Sequence, residues 1–334
     1  MKTEELWADF CQKKNIDINT PYEAWAFCGG GPAADELAEL VLKRRKFGTA
    51  SAYDDYVFEN AIDEIPKQGD YSVILNNNND AVCIIRDYDV YIRAFGDVSS
   101  FHAYSEGEGD RTLEYWKEVH TRVFGPDLEK EGMPLTDESL IVCEKFTVEY
   151  VPGEEQFEDD ELMFVEPTMA YAEEINSYRQ EMLETGSSFD GCFSMERLAD
   201  TKEFVDSCIT WSNPRRSIDE HGVRGNVIMC IRKSDGRMVG CMQVHHILTE
   251  RMKIYTGHVG YSVRPSERRK GYATRILAKA KDFLTSFGFD EIYVNCLPEN
   301  VGSRKTILAN GGEYIETVYW AEENVHLERY VIKF

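Results

Sequence analysis

The sequence predicts two domains of mixed α and β structure, a small barrel or α+β half followed by a sheet flanked by helices. Three observations carry this. A chain of 334 residues exceeds the usual size of one domain. Residues 152–161, PGEEQFEDDE, join a helix-breaking Pro-Gly to a carboxylate run that resists compaction, and so read as an exposed linker. Hydrophobic residues make up 43% of the chain against 29% charged, enough for each half to build its own core. The expected domains are residues 1–151 and 162–334, with the acidic linker between.

In the first half, residues 33–45 (AADELAELVLKRR) set Ala34, Leu37, Ala38 and Val41 on one helical face, and Gly48 suits the helix exit. YSVIL and AVCIIRD flank the polar run NNNND, a hairpin pattern. A second helix is expected over residues 111–123, with Leu113, Trp116, Val119 and Val123 on its buried stripe. Residues 139–151 then alternate like a strand. The second half opens with helical stretches at 168–185 and 195–211. Strands follow at GNVIMCIRK, MVGCMQVHHI and HVGYSVR. In the next helix Ala273, Ile276, Leu277, Ala280, Phe283, Leu284 and Phe287 repeat at helical spacing, closed by Gly288. EIYVNCL is another strand, residues 301–309 a short helix, and the tail offers two more strands.

The formal net charge is −23, which repels polyanions and argues against sequence-blind binding of DNA, RNA or an anionic membrane. Its distribution is uneven. Residues 1–155 hold 15 Lys and Arg against 32 Asp and Glu, whereas residues 156–334 hold 22 against 28. Any basic pocket is therefore expected in the second half. Nine cysteines without a C-x-x-C pair, mostly in apolar runs, fit free thiols in a reducing cytoplasm. No metal-ligand spacing stands out. No apolar run approaches the roughly 20 residues of a membrane span, and MKTEELWADF lacks a signal-peptide core, so the expectation is a soluble cytoplasmic protein.

Residues 257–283, GHVGYSVRPSERRKGYATRILAKAKDF, carry the strongest signal. A strand ends at Arg264-Pro265, a loop presents Arg268, Arg269 and Lys270, and Gly271 opens a helix. Unpaired N–H groups and partial positive charge at a helix start, a glycine that lets a ligand approach, and flanking cations together favour an anion. Arg268-x-x-Gly271-x-Ala273 also fits the R/Q-x-x-G-x-G/A motif of the GNAT acetyltransferases. With the strand GYSVRP before it and EIYVNCLPENVGSRKTILANGG after it, the whole of residues 160–334 resembles that family.

The resemblance implies a mostly antiparallel mixed sheet, acetyl-CoA as cofactor, and acyl transfer to an amine of a small molecule or peptide. The pyrophosphate would lie on the turn Arg268, Arg269, Lys270, Gly271, Tyr272, Ala273 and Thr274. The pantetheine arm would pair with the main chain of Tyr261, Ser262 and Val263, and Asn300 and Ser303 would complete the cofactor side. Direct attack on the thioester needs a base for the ammonium and an acid for the leaving thiolate. Many members place a general-acid Tyr seven residues after the Asn; here that position is Ile307. Tyr293, Tyr314 or a water would substitute as the acid. His258, at the start of the cofactor-facing strand, is the first candidate base, ahead of His246, His245 and Glu250.

WAFCGGGPAADELAELVLKRRKFGTAS, AVCIIRDYDV, YSEGEGDRTLEYWKEVH and SLIVCEKFTVEYV resemble the ASCH domain, of the PUA-like barrels associated with RNA, over residues 20–151. The family's G-x-K-x-x-T motif falls on Arg44, Lys46 and Thr49, so its glycine is replaced. Some small members hydrolyse N4-acetylcytidine with a Lys, a Thr and a Glu; by position these are Lys46, Thr49 and Glu108, ahead of Glu106. A neutralised Lys46 would deprotonate the Thr49 hydroxyl. A pocket that binds a nucleotide or RNA would keep the same residues. Three functions are open: an N-acetyltransferase with an accessory ASCH domain, which is the preferred one; a non-enzymatic nucleotide-binding regulator with a degenerate acetyl-CoA sensor; and a bifunctional protein whose two halves add and remove acetyl groups.

Overall fold

A computed structural model describes residues 1–153, 162–215 and 223–334. The chain divides into two compact units, Met1–Glu158 and Asp159–Phe334. Pro152 and Gly153 form a turn, and the rest of the expected linker lies outside the described residues.

The first unit runs α1 (Thr3–Lys14), β1 (Glu23–Trp25), α2 (Pro32–Leu42), β2 (Gly48–Ala52), α3 (Tyr53–Phe58), β3 (Tyr71–Leu75), β4 (Ala81–Ala94), α4 (Ser100–Glu106), α5 (Leu113–Lys130) and β5 (Leu140–Tyr150). Its curled sheet has the order β1-β3-β4-β5-β2, antiparallel except for β1 beside β3. Alternation along the strands sends Ile74, Cys83, Ile85, Phe146 and Val148 against Leu37, Ala38 and Val41 of α2. The opposite face sends Val73 and Ile84 against Leu6, Trp7 and Phe10 of α1. A register shift between Asp87 and Asp89 bends the long β4, and beyond it Ile141 and Cys143 pack on Ala103 and Trp116. The helix expected at 33–45 ends earlier. Arg44, at φ 57°, makes the left-handed exit, while Gly48 opens β2.

The second unit runs β6 (Leu162–Val165), α6 (Ala172–Glu184), α7 (Thr201–Ser212), β7 (Gly225–Arg232), β8 (Met238–His245), α8 (Glu250–Tyr255), β9 (Val259–Val263), α9 (Tyr272–Thr285), β10 (Glu291–Cys296), α10 (Val301–Ala309), β11 (Gly312–Trp320) and β12 (Val325–Lys333). Two antiparallel sheets result, β6-β7-β8-β9 and β10-β12-β11. They meet at one bridge, Gly257 to Val294, beside the His258 N–H that donates to the Tyr293 carbonyl at 2.8 Å. The apolar stripe of α9, with Ile276, Leu277, Ala280, Phe283 and Leu284 fully buried, covers β8 and β9. Among the described residues no helix is long and apolar enough to cross a membrane.

Candidate functional site

In the second unit the candidate site is the gap left where β9 and β10, edge strands of the two sheets joined at one bridge, share no further pairing among the described residues. Antiparallel pairing alternates, so the His258 carbonyl and the main chains of Gly260 and Ser262 turn toward β8 while the His258 N–H crosses to Tyr293, which leaves Val259, Tyr261 and Val263 facing the gap. This corrects one expectation. The main chain of Ser262 serves the sheet, and its buried hydroxyl meets Tyr178 at 3.0 Å and Cys192 at 3.1 Å. The Val263 carbonyl accepts from Arg268 Nε at 3.1 Å, so this arginine lies along the strand edge and reaches Ser187 with its other nitrogen.

At the mouth of the gap the turn into α9 has two left-handed residues, Arg269 at φ 68° and Gly271 at φ 84°. Such alternation turns successive N–H groups to one side, and no side chain caps the α9 start. Space beside Gly271 is open: a Cβ built there meets nothing within 4 Å. The three expected cations divide their work. Lys270 pairs with Glu267 at 2.8 Å, Arg268 is held as described, and Arg269 stands exposed without a partner among the described residues. Glu267 is itself buried. Burial would raise its carboxyl, but bonds from Arg232 and Lys270 outweigh this and hold it below the usual carboxylate range. Tyr272 is buried with its hydroxyl on Arg232 at 3.1 Å, and Ala273 and Thr274 are half-buried in the first turn.

Across the gap, the Asn300 side chain caps α10 by accepting the Ser303 N–H at 3.0 Å. Ser303 Oγ meets the Tyr261 hydroxyl at 2.9 Å, a link from β9 to α10. Ile307 is fully buried and packs against Gly312, so the apolar residue at this position belongs to the core.

The candidate bases and acids fall in different places. His258 Nδ1 accepts the Tyr293 N–H at 2.9 Å; burial, then the charges of His245 and Lys253, lower its pKa to about 4. With one ring nitrogen engaged as acceptor and the other bearing the proton of the neutral ring, His258 has no lone pair left for an ammonium. This takes it out as a general base; it closes the junction of the sheets. His246 stacks on Phe287 of the chain beyond α9 and meets Asn226 Oδ1 at 2.6 Å; burial, then His245 and Arg224, lower its pKa to about 3. It packs with the helix. Tyr293 donates to Glu291 at 2.6 Å, Glu250 is an exposed partner of Lys253, and the Tyr314 hydroxyl meets Thr317 on an exposed strand. His245 differs in one respect: Nδ1 donates to the Gly257 carbonyl at 3.2 Å and Nε2 accepts from the Gln243 amide nitrogen at 3.2 Å, a side-chain donor that can rotate away where the main-chain N–H on His258 cannot, and the ring stands edge-on to Trp211.

Trp211 stacks on Phe193 at 4.7 Å along a groove of about 610 Å³, rimmed by Asp200, Lys202, Glu203, Asp206 and Arg224. Phe193 is held at φ 46°, in a segment that touches β9 where Gly191 lies against Gly260, too close for any side chain at either position. Neither aromatic was singled out by the sequence; a bulky residue in a left-handed conformation leaves no local pattern.

In the first unit Lys46 is 1% exposed, with Nζ 3.0 Å from Glu106 and 2.8 Å from Glu108. Burial opposes its charge, but the two carboxylates outweigh this and raise its pKa. Lys46 is therefore an ammonium, which corrects the neutral amine expected for a base. Glu106 accepts from Trp116 Nε1 at 2.6 Å and His102 Nε2 at 3.2 Å, with His120 at 3.6 Å. Burial would raise this carboxyl; Lys46, His120 and His102 hold it well below the usual range. The pairs His102/Glu106 and Trp116/His120, each four apart on a buried helix face, were the sequence signal for this network. Thr49 lies on β2 opposite Glu144, and among the described residues no hydrogen bond joins its hydroxyl to Lys46. Cys28, at φ 54° ahead of α2, is exposed within the electrostatic reach of Glu108 and Lys46.

Residues 23–150 match the family model of the ASCH domain, and residues 162–313 match that of the acetyltransferase (GNAT) domain. The chain joins an ASCH domain to a GNAT acetyltransferase domain. Its second half is thus an acyltransferase domain. No curated protein matches the sequence. Among solved structures, a protein of Enterococcus faecalis V583 is 33% identical over 43% of this chain and 86% of its own, with a TM-score of 0.39. An ASCH domain from Lactobacillus crispatus is 27% identical over 44% and 94%, at 0.41. The microcin C7 self-immunity acetyltransferase, solved with acetyl-CoA and AMP, is 17% identical over 53% and 94%, at 0.38. Two substitutions set this ASCH–GNAT chain apart from its families' motifs. Arg44, at the glycine position of the ASCH motif, sits in the left-handed region at φ 57°, and Ile307, at the position of the GNAT pattern's tyrosine, fills core.

Proposed function

We propose that the protein transfers the acetyl group of acetyl-CoA to a primary amine, and that its ASCH half binds a nucleotide or modified base beside Lys46. The α9 turn carries the first part: two left-handed residues, an uncapped helix start and an open approach at Gly271 suit a pyrophosphate. The outward main chain of Tyr261 would pair with the pantetheine amides. The amine nitrogen attacks the thioester carbonyl, loses a proton to a base, and the thiolate leaves and is reprotonated. His245, whose Nε2 lone pair is freed when the Gln243 side chain turns aside, is the base this reading favours, and the net acidic rim of the Phe193–Trp211 groove suits a cationic acceptor.

Calorimetry tests the cofactor reading. Wild type binds acetyl-CoA, and Gly271→Glu, which sets a charged side chain on a left-handed residue, does not. No binding by wild type, or equal binding by the variant, overturns it. Turnover on an amine panel then separates His245→Ala, expected to lose kcat, from His246→Ala, His258→Ala and Tyr293→Ala, whose losses should follow stability.

For the ASCH half, one observation favours binding over hydrolysis. Lys46 is a buried ammonium tied to two carboxylates, and a base must first be neutral. Release of cytidine from N4-acetylcytidine by residues 1–155 would reverse that preference.

A further inference from the structure

The face of the ASCH sheet that carries Lys46 holds two more carboxyl groups that the proposed function does not use. Glu144 on β5 stands opposite Thr49 on β2. Asp87 on β4 stands opposite Phe146, two residues along β5, so both side chains lie on one face. Asp87 is 4% exposed and Glu144 6%. Asp87 Oδ1 is buried with no hydrogen-bond partner, and the Glu144 carboxyl lies within its electrostatic reach. Buried polar atoms in native proteins are nearly always satisfied, and an orphaned oxygen such as Asp87 Oδ1 marks a place where something else completes the bonding. Phe27 and Phe146 supply flat apolar surface on the same side, the Phe27 ring lying 5.2 Å from Lys46 Nζ.

We propose that Asp87 and Glu144 form a recognition site for an uncharged, flat ligand that presents a donor and an acceptor side by side on one edge, as a carboxamide or a nucleobase does. A protonated carboxyl answers such an edge with two hydrogen bonds, its O–H donating and its carbonyl accepting. The surroundings hold both groups in that form. Burial, then the charges of Asp70 in the turn before β3 and Glu23 on β1, raise Asp87 to about 8. Burial, then Asp87, Glu106 of α4 and Glu23, push Glu144 well up, against the smaller opposing effect of Lys46. Tyr56 of α3 lies within reach of Glu144 and is itself raised by burial. An anion would meet Asp70, Glu23 and Glu106, which argues for a neutral ligand.

This inference rests on the binding role proposed for the ASCH half and deepens it. Calorimetry on the full chain tests it with cytidine, adenosine and benzamide, none of which titrates between about pH 6 and pH 10. Benzamide separates a plain carboxamide from a base. At least one probe should bind at about pH 6, with affinity falling roughly tenfold per pH unit above about 8 as the site loses its proton. The double variant Asp87→Asn, Glu144→Gln keeps shape and neutrality, so it should bind within a few-fold of wild type and show no pH dependence. Alanine at either position should abolish binding. Wild-type binding that is equal at both pH limits, or unaffected by either alanine, overturns the inference and leaves the binding role standing. So does a cationic probe, benzamidine, whose affinity rises with pH. No binding of any probe by wild type overturns the binding role together with the inference.

Discussion

Lys46 and Glu106 share a buried cluster, and each is charged because the other is there. Replacing Lys46 with Met leaves Glu106 without its largest favourable charge, which should cost about 3–5 kcal/mol in urea unfolding of the ASCH half. The pH dependence has two opposite parts. Glu106 is depressed in the folded state, so its contribution is present above the ordinary carboxylate range and lost as pH falls through and below it. Asp87 is raised, so its contribution is complete below about pH 4 and is lost as pH rises toward about 8. Urea midpoints at intervals across this window should therefore decline with pH in wild type and decline less steeply in Asp87→Asn, where the raised Glu144 alone remains. At this scale the sequence was legible where the chemistry is local. The anion turn could be read because its parts lie within seven residues, Arg268 to Thr274. The His258 role could not, because its ring partner, the Tyr293 N–H, lies 35 positions away.

Helix ends decide several features of the two halves. Arg44 closes α2 by a Schellman arrangement, with Arg44 N–H on Val41 and Arg45 N–H on Leu40, in a backbone region that disfavours side chains. Arg44→Gly should raise stability by about 1 kcal/mol, read from the urea midpoint. At α10, Asn300→Ala removes the cap and should cost about 1 kcal/mol, whereas Asn300→Asp, an equally good cap, should be close to neutral. If Asn300 instead touched the cofactor directly, both changes would weaken acetyl-CoA binding alike. Strong periodicity made most strands and α9 readable. Helix α1 is harder to read, because its apolar face, Leu6, Trp7, Phe10 and Cys11, spans less than two turns and is flanked by charged residues. The helix expected from residue 195 begins at Thr201, because Asp200 caps it and the residues before it follow left-handed turns at Phe193 and Ser194.

Each unit has its own core, so residues 1–158 and 159–334, made separately, should each unfold in one cooperative transition. A fragment without a heat-absorption peak in calorimetry would mean that it depends on the other half. At this scale length and composition sufficed, because domain count follows from how much surface a core can bury. Charge was informative about partners rather than fold: the acidic half bears the one buried lysine–carboxylate network described here, and the less acidic half bears the anion turn. The thiol inventory has a practical consequence. Of the nine cysteines, eight are buried and Cys28 alone is exposed. Burial and then the Glu108 charge raise its pKa, so mild alkaline conditions are needed to make it reactive. The wild-type chain thus carries its own single attachment point for a fluorescent dye. Placed beside Lys46, that dye would report ligand occupancy of the ASCH half as a change in emission, without any engineered cysteine.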